Sequence, residues 1–348
     1  MSCNIGIIGR LAKNADLMEG QTVKTRVLES ELELNINDCK IYYADTYNYK
    51  KRVFTVFFQT LRCFFKCKNI FLLLSSNGMK FYFPLVYYMN KIFKRNIIHD
   101  VIGGTLHNLV EENPNWVKYL NYFRINLVEV EPMKKGLEKL GVKNVEVVPN
   151  FKRLEVSQKK DLKKIIKLPI SFCTFSRVAR EKGILTAIGA IKELNKKYEN
   201  TVATLDIYGK LEDDFKHEFL MLEKDFPNYI NYKGLVPFNQ SSNVLKKYDA
   251  LLFPTYHPGE GFPGTIVDAY SVGLPVIATN WRHNPYLIDD KVTGFLYDYN
   301  NNDELLGILE NIIENSEIIN NMRENCLRKY EEYSPEKAMK KIISYMEL

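Results

Sequence analysis

Two cations and two acids in the second half of the chain have the types and spacing to hold a diphosphate ester. Arg177 and Lys182 occur in Ser176-Arg177-Val178-Ala179-Arg180-Glu181-Lys182-Gly183, between an apolar run over residues 171–175 and a helical pattern starting near Ile184. Arg177 can offer a planar fork to two phosphate oxygens while Lys182 supplies a compact, movable charge, so the pair suits a diphosphate better than either alone. A helix start directly behind them adds unpaired backbone N–H groups, which also favour an anion. Taken in isolation, a charged loop in water has the same composition.

The acids come from a second segment, His257-Pro258-Gly259-Glu260-Gly261-Phe262-Pro263-Gly264-Thr265, whose glycines remove side chains that would block a ligand from the backbone. A helix is predicted from Gly264 through Asp268 to about Val272, with Gly273 as its left-handed stop and Pro275 beyond. The amides of Gly264, Thr265 and Ile266 would then point toward a ligand. Asp268 lies about one turn inside, and helical side chains lean toward the N-terminus, so its carboxylate returns to the same edge. Glu260 precedes the helix, and with seven residues between them the two acids can touch two parts of one ligand. Without a ligand, Asp268 would serve the helix dipole and Glu260 would be a loop acid.

Positioning these groups calls for strands that end where the loops begin. Apolar runs over residues 4–8, 40–43, 70–74, 96–102, 125–130 and 145–148 alternate with helical patterns over 23–34, 80–93 and 132–140. Such alternation predicts a parallel sheet covered on both faces. The rhythm restarts with strands over 171–175, 204–208, 230–232, 250–254 and 275–278, a second doubly wound domain. Between them, Pro149-Asn150-Phe151-Lys152 and a charged stretch through Lys164 mark the boundary. The expected organisation is a first domain over 1–152 and a second over 153–333. A final helix over 334–348, started by Ser334-Pro335-Glu336, would pack back on the first domain. In open parallel sheets ligands bind beyond the carboxyl ends of the strands, which is where both chemical loops fall.

At these residues the chain resembles glycosyltransferase family 4 of the GT-B fold. The matching set, in order, is Phe175-Ser176-Arg177 to Lys182-Gly183, Ile207-Tyr208-Gly209, Tyr232-Lys233-Gly234, and Gly259 through Pro263 to the run from Asp268-Ala269-Tyr270 to Val276-Ile277-Ala278. The resemblance covers most of the chain and implies α/β architecture, two Rossmann-like domains facing each other across a cleft. It implies that Arg177 and Lys182 hold the donor diphosphate and that Glu260 faces the donor sugar. Gly261, Phe262, Pro263, Gly264, Thr265 and Ile266 would contact sugar hydroxyls and the distal phosphate, Asp268 the ribose, and Gly209, Gly234 and Leu235 the nucleotide end. Aspartate at 268 departs from the family's glutamate and is shorter by a methylene, which suggests a longer or water-bridged ribose contact. On the acceptor side it points to Gly20 and Gln21 after the first strand and to Gly103, Gly104 and His107 in a later loop, with His99 nearby. His107 is expected at a helix start facing solvent.

The resemblance further implies a retaining reaction in which a donor phosphate oxygen helps remove the acceptor's proton, with no metal and no cofactor. An Asp-x-Asp motif of the kind that holds a divalent ion across a diphosphate is absent from the sequence. The expected activity is transfer of a sugar from a nucleotide-diphosphate donor, UDP-sugar first, to a glycan or lipid-linked glycan in bacterial surface polysaccharide (capsule, lipopolysaccharide) synthesis. A nucleotide-sugar epimerase of the same fold, or a non-catalytic nucleotide- or glycan-binding subunit, would use many of the same contacts. Gly6-Ile7-Ile8-Gly9 lacks the third glycine and the spacing of a dinucleotide fingerprint.

Composition is consistent with this. The 348 residues, at roughly 100–200 per domain, suffice for two cores. Hydrophobic residues make up 46% and charged residues 26%, as in folded globular chains. Cys3, Cys39, Cys63, Cys67, Cys173 and Cys326 form no C-x-x-C pair and read as reduced cytosolic thiols, with no metal site expected. The net charge of +6 carries no nucleic-acid signature, the basic residues reading as spread out along the chain. Arg62, Lys66 and Lys68 interrupt the apolar segment over 53–74, so no spanning helix is expected. Its Phe54, Phe57, Phe58, Leu61, Phe64 and Phe65 suit either an amphipathic helix packed on the first sheet or an interfacial helix. A cytoplasmic protein in possible peripheral contact with the inner membrane face follows as the expected location.

Overall fold

In a computed structural model, residues 3–13, 15, 19–164 and 167–347 are described. The chain divides into two compact units, Met1–Arg153 with Tyr333–Leu348, and Leu154–Glu332. The first runs β1 (Cys3–Gly9), α1 (Gly20–Asn35), β2 (Cys39–Asp45), α2 (Val53–Lys66), β3 (Asn69–Leu73), α3 (Ser76–Phe93), β4 (Asn96–Asp100), α4 (Leu106–Glu112), α5 (Trp116–Leu120), β5 (Ile125–Val128), α6 (Glu131–Lys139) and β6 (Val145–Val147). The second runs β7 (Ile170–Phe175), α7 (Ile184–Lys197), β8 (Ala203–Tyr208), α8 (Asp213–Glu223), β9 (Ile230–Gly234), α9 (Ser241–Leu245), β10 (Ala250–Phe253), α10 (Gly264–Ser271), β11 (Val276–Thr279), α11 (Asn284–Leu287), β12 (Gly294–Tyr297), α12 (Asn302–Glu314) and α13 (Glu317–Tyr330). A last helix, α14 (Pro335–Ser344), belongs to the first unit.

Each unit is a six-stranded parallel sheet flanked by helices, the pair of Rossmann-like units of the GT-B fold. The first sheet has the order β2-β1-β3-β4-β5-β6 and the second β12-β11-β10-β7-β8-β9. Read from β9, the second is the doubly wound order 3-2-1-4-5-6, which reverses direction between β7 and β10. Strands buried on both faces read as near-continuous apolar runs, and β3, β5, β10 and β11 are buried at every residue. The cores are separate: Ile5, Phe71, Leu73 and Ile98 lie in the first, and Phe172, Leu205, Phe215 and Phe219 in the second.

Local chemistry explains most boundaries. Ser75 accepts from the amide of Gly78 at 3.4 Å and starts α3 four residues before the expected position. Ser334 accepts from Lys337 N at 3.4 Å with Pro335 in the first turn of α14. This helix is held to the first sheet by Lys341 on Glu146 at 2.9 Å and by Arg153, which bonds Glu31 and Glu336, each at 2.8 Å. Three expectations fail. Helix α1 begins at Gly20, three residues before the expected residue 23, so Gly20-Gln21-Thr22 is its first turn. The runs over 96–102 and 125–130 leave the sheet at Asp100 and Val128. Strand β12 was unforeseen: Gly294 lies so close to Val276 that a Cβ would sit 1.9 Å from its carbonyl oxygen, and glycine weakens the strand pattern.

A buried charge cluster ties α1 to the carboxyl ends of β4 and β5. Lys24 Nζ donates to Val101 O at 2.7 Å and Glu129 Oε1 at 2.9 Å and lies 2.8 Å from Asp100 Oδ1, using all three of its protons. Burial lowers the ammonium's pKa, but Asp100 and Glu129 outweigh it and raise the net value. Burial raises that of Asp100, which Lys24 only partly offsets. Replacing Lys24 by Met would leave two carboxylates together in the interior. The expected loss is about 3–5 kcal/mol of stability in the first unit, read by urea unfolding, with Asp100→Asn in the same chain recovering part of it.

Candidate functional site

The second sheet's reversal point brings the two chemical loops together, since β7 and β10 are hydrogen-bonded neighbours. After β7 the chain makes a short helical turn over Arg180–Lys182, and Gly183 follows at φ +71°. A Cβ at Gly183 would lie 2.0 Å from Pro254 O, so only glycine lets this loop close against the end of β10. The closure is stitched by the amide of Tyr256, which donates to Glu181 O at 2.8 Å.

Closure delivers Lys182 to Glu260. Both are buried, with Lys182 Nζ 2.5 Å from Glu260 Oε2, and the same oxygen accepts from Thr255 Oγ1 at 2.8 Å. Lys182 also sits 5.8 Å from the centroid of the Phe253 ring. Thr255 is held in turn by its carbonyl, which accepts from Thr279 Oγ1.

Beside these groups lies His257, to which the sequence assigns no role. Its buried Nδ1 has no hydrogen-bond partner and lies 3.5 Å from Glu181 Oε1. Its carbonyl accepts from Trp281 Nε1 at 2.9 Å. Burial first and then the Lys182 charge lower its pKa from the ordinary 6.5; Glu260 opposes them, and Arg177 (lowering) and Glu181 (raising) act less. The ring is therefore neutral near pH 7 and faces four charges from two loops. Arg177, Lys182 and Glu260, picked out separately in the sequence, thus share one locale. Arg177 is half-exposed with Nη1 3.5 Å from Glu212 Oε1, a loose pairing that leaves its fork accessible.

The turn that follows Glu260 runs through buried Gly261, Phe262 and Pro263 into α10. No side chain caps this helix, and Thr265 Oγ1 is buried without a hydrogen-bond partner. Gly264 and Thr265 thus retain first-turn donors for an anion or a hydroxyl. Ile266 does not fit the expected role: its amide donates to Pro263 O at 3.0 Å and its side chain lies in the core. Pro263 has no amide to give. Asp268 is buried on α10, and its carbonyl accepts from Ser271 Oγ at 2.7 Å.

Gly209 is explained by packing. Its φ is +140°, a Cβ would lie 1.7 Å from Ser176 O, and its amide donates to Gly234 O at 2.9 Å. It lets β8 approach the Arg177 loop. Gly234 and exposed Leu235 end β9, two strands from β7, where the space around a Gly234 Cβ is open.

In the first unit, Gln21 donates from Nε2 to Leu73 O at 3.2 Å, and Gly20 opens α1 beside it. That sheet reverses between β1 and β3, so these two residues stand at its own crevice position. Gly103 turns at φ +79° and Gly104 is buried next to it. His107 does start α4 and is half-buried, with one side packed on α6, where a Cβ on Gly136 would touch it at 3.3 Å. His99 is a core residue: its Nδ1 meets Asn126 Oδ1 at 3.0 Å and its ring stands edge-on to Phe83 and Phe123. Among the described residues no group of His, Cys, Asp and Glu is arranged to hold a metal ion.

Residues 157–329 match the family described as glycosyl transferases group 1. An Escherichia coli UDP-Gal:alpha-D-GlcNAc-diphosphoundecaprenol alpha-1,3-galactosyltransferase is 29% identical over 213 residues, 58% of this chain and 50% of the relative. The GtfA subunit of a Streptococcus gordonii UDP-N-acetylglucosamine–peptide N-acetylglucosaminyltransferase is 33% identical over 135 residues, 38% of this chain and 25% of the relative. The matched region spans half or less of these relatives' lengths. In fold, the chain is similar to Anabaena HepE solved with UDP and glucose, at TM-score 0.73, 13% identity and 98% coverage of both chains.

Two outcomes are expected. Removing one partner of the buried pair, as in Lys182→Met, should cost about 3–5 kcal/mol in the second unit by leaving Glu260 unpaired, with the double variant Lys182→Met/Glu260→Leu regaining part by calorimetry. His99, whose pKa burial lowers from 6.5 to about 4, is neutral when folded and protonates more readily when unfolded. Stability of the first unit should therefore fall as pH drops from about 6.5 to about 4, by about 3 kcal/mol in all, and His99→Asn should flatten that dependence.

Proposed function

We propose that this chain, whose second unit carries a glycosyl transferases group 1 domain, is a retaining, metal-independent glycosyltransferase of family 4 that uses a UDP-sugar. The observation that carries the reading is the meeting of Lys182, Glu260 and Arg177 around His257 at the reversal point of the second sheet. The E. coli and S. gordonii relatives both have UDP-sugars in their names, which favours uridine as the base. The E. coli relative's acceptor is a lipid-linked sugar, which favours a lipid-linked glycan met at the inner membrane face.

In the free protein Glu260 is the counter-charge of Lys182. A donor diphosphate would take its place, with Arg177 closing from the accessible side and the first turn of α10 meeting the distal phosphate or a sugar hydroxyl through Gly264 and Thr265. Glu260, released from the ammonium, would then accept from the sugar's hydroxyls, and neutral His257 offers a second acceptor beside it. As the anomeric bond to the phosphate oxygen breaks, negative charge grows on the leaving diphosphate, and each well-aimed cation contributes about 3 kcal/mol. These two cations supply the charge that a divalent ion would otherwise bring. Asp268 holds the ribose, and Leu235 with Gly234 borders the base.

The test begins with a thermal-shift panel of UDP, GDP, ADP and CMP with their common sugars. UDP-sugars should raise the transition of the folded protein, and the other bases should not. Transfer to lipid-linked acceptors should fall about 100-fold in Arg177→Ala and in Glu260→Gln, the first raising the donor KM as well. Donor binding with no transfer to any acceptor, or interconversion of the donor sugar without acceptor, would overturn the assignment in favour of a binding subunit or an epimerase.

A further inference from the structure

The first unit's charge is concentrated in one region. Between Thr46 and His99 the sequence has ten Lys or Arg and no Asp or Glu, whereas the rest of the chain has 38 basic and 42 acidic residues. The basic residues are thus segregated, contrary to the expectation from composition. This acid-free stretch holds α2, β3 and α3.

Both helices leave an apolar stripe in solvent. On α2, Val56, Thr60, Cys63 and Phe64 face the core, while Phe54, Phe57, Phe58 and Phe65 are exposed, Phe54 at 80%. Their spacing of 3, 4 and 11 residues puts them on one side of the helix. On α3, Phe81, Tyr88 and Ile92 repeat this at 7 and 11 residues, with Ile92 at 78% exposure. The helices are adjacent: the Phe93 ring of α3 lies 4.9 Å from Phe65 and 5.7 Å from Phe64. Each stripe is flanked by cations. Arg62 and Lys66 are exposed on α2, and on α3 Lys91 lies over the Tyr87 ring at 4.6 Å. Half of the alternative read from sequence, packing on the sheet, is met by the buried side of α2. The Phe side is unaccounted for by that packing.

We infer that the exposed aromatic and basic face of α2 and α3 docks the protein on an anionic lipid bilayer. The apolar rings enter the headgroup boundary, and Arg62, Lys66, Lys91 and Lys94 pair with lipid phosphates. Charge complementarity selects this occupant, since a bilayer offers both hydrocarbon and a sheet of negative charge. Among the described residues no helix is long and apolar enough to cross a membrane, so the contact is a surface one. The inference accords with a lipid-linked acceptor but is read independently of turnover.

The experiment is flotation of the full chain with vesicles of mixed phosphatidylglycerol and phosphatidylcholine, against phosphatidylcholine alone. Binding should require the anionic lipid and weaken with salt. It should drop at least about tenfold in Phe54→Ser/Phe58→Ser/Phe65→Ser and in Arg62→Gln/Lys66→Gln/Lys91→Gln, with the UDP-sugar thermal shift unchanged. As a readout free of folding loss, Phe58→Trp should gain a blue-shifted emission on anionic vesicles relative to the parent's Trp116 and Trp281. Absence of flotation, or flotation unaffected by both sets, overturns the inference. So does a dimer that dissociates when the three Phe are replaced, or an oligonucleotide bound through these cations without vesicle binding. Vesicle binding without any transfer would leave this inference standing and remove the transferase reading; transfer to a water-soluble acceptor without vesicle binding does the reverse.

Discussion

The candidate site depends on how closely the loop after β7 approaches the end of β10. Gly183 has no room for a side chain against Pro254 O, and its left-handed backbone turns the chain directly from Lys182 into α7. With that approach in place, Lys182 and Glu260 are carried into contact and out of water, and Tyr256 and Thr255 anchor the second loop to Glu181. Gly209 does the same on the other side, letting β8 press on the backbone of Ser176. Backbone packing thus sets the electrostatics of the loops before any ligand arrives.

The electrostatic consequence is a site whose charges are already partnered. Glu260 is the counter-ion of the buried Lys182 ammonium and, with Thr255, fixes its position. In the proposed reading, an incoming diphosphate exchanges one partner of Lys182 for another and does not have to desolvate a free cation. Arg177 differs from Lys182 in being near the surface and held only loosely by Glu212. His257 remains neutral because burial and the neighbouring cations act in the same direction.

The first unit deals with charge in the opposite way. It buries a single compact cluster, Lys24 with Asp100 and Glu129, at the carboxyl edge of its sheet, where all the protons of Lys24 find acceptors. On α2 and α3 it exposes apolar rings among cations in a stretch without acidic residues, the face from which bilayer docking is inferred.

Sequence alone determined the alternation of strands and helices, because apolar period and glycine or proline punctuation are local properties. It also identified Arg177, Lys182, Glu260 and Asp268 as groups on loops and helix starts after strands. It could not reveal that Lys182 and Glu260 touch, nor that His257 lies beside them, since 78 residues separate the pair and only the reversal in strand order makes β7 and β10 neighbours. The hydrogen bond that occupies the Ile266 amide, the packing of His107 on α6 and the burial of His99 were equally hidden, because each depends on a partner brought by tertiary packing. Strand β12 escaped notice because Gly294, which tight contact with Val276 requires, is the residue that breaks a strand pattern. The tertiary structure decided which side of α2 is core and which is surface, because a helix apolar on both sides reads the same from either direction.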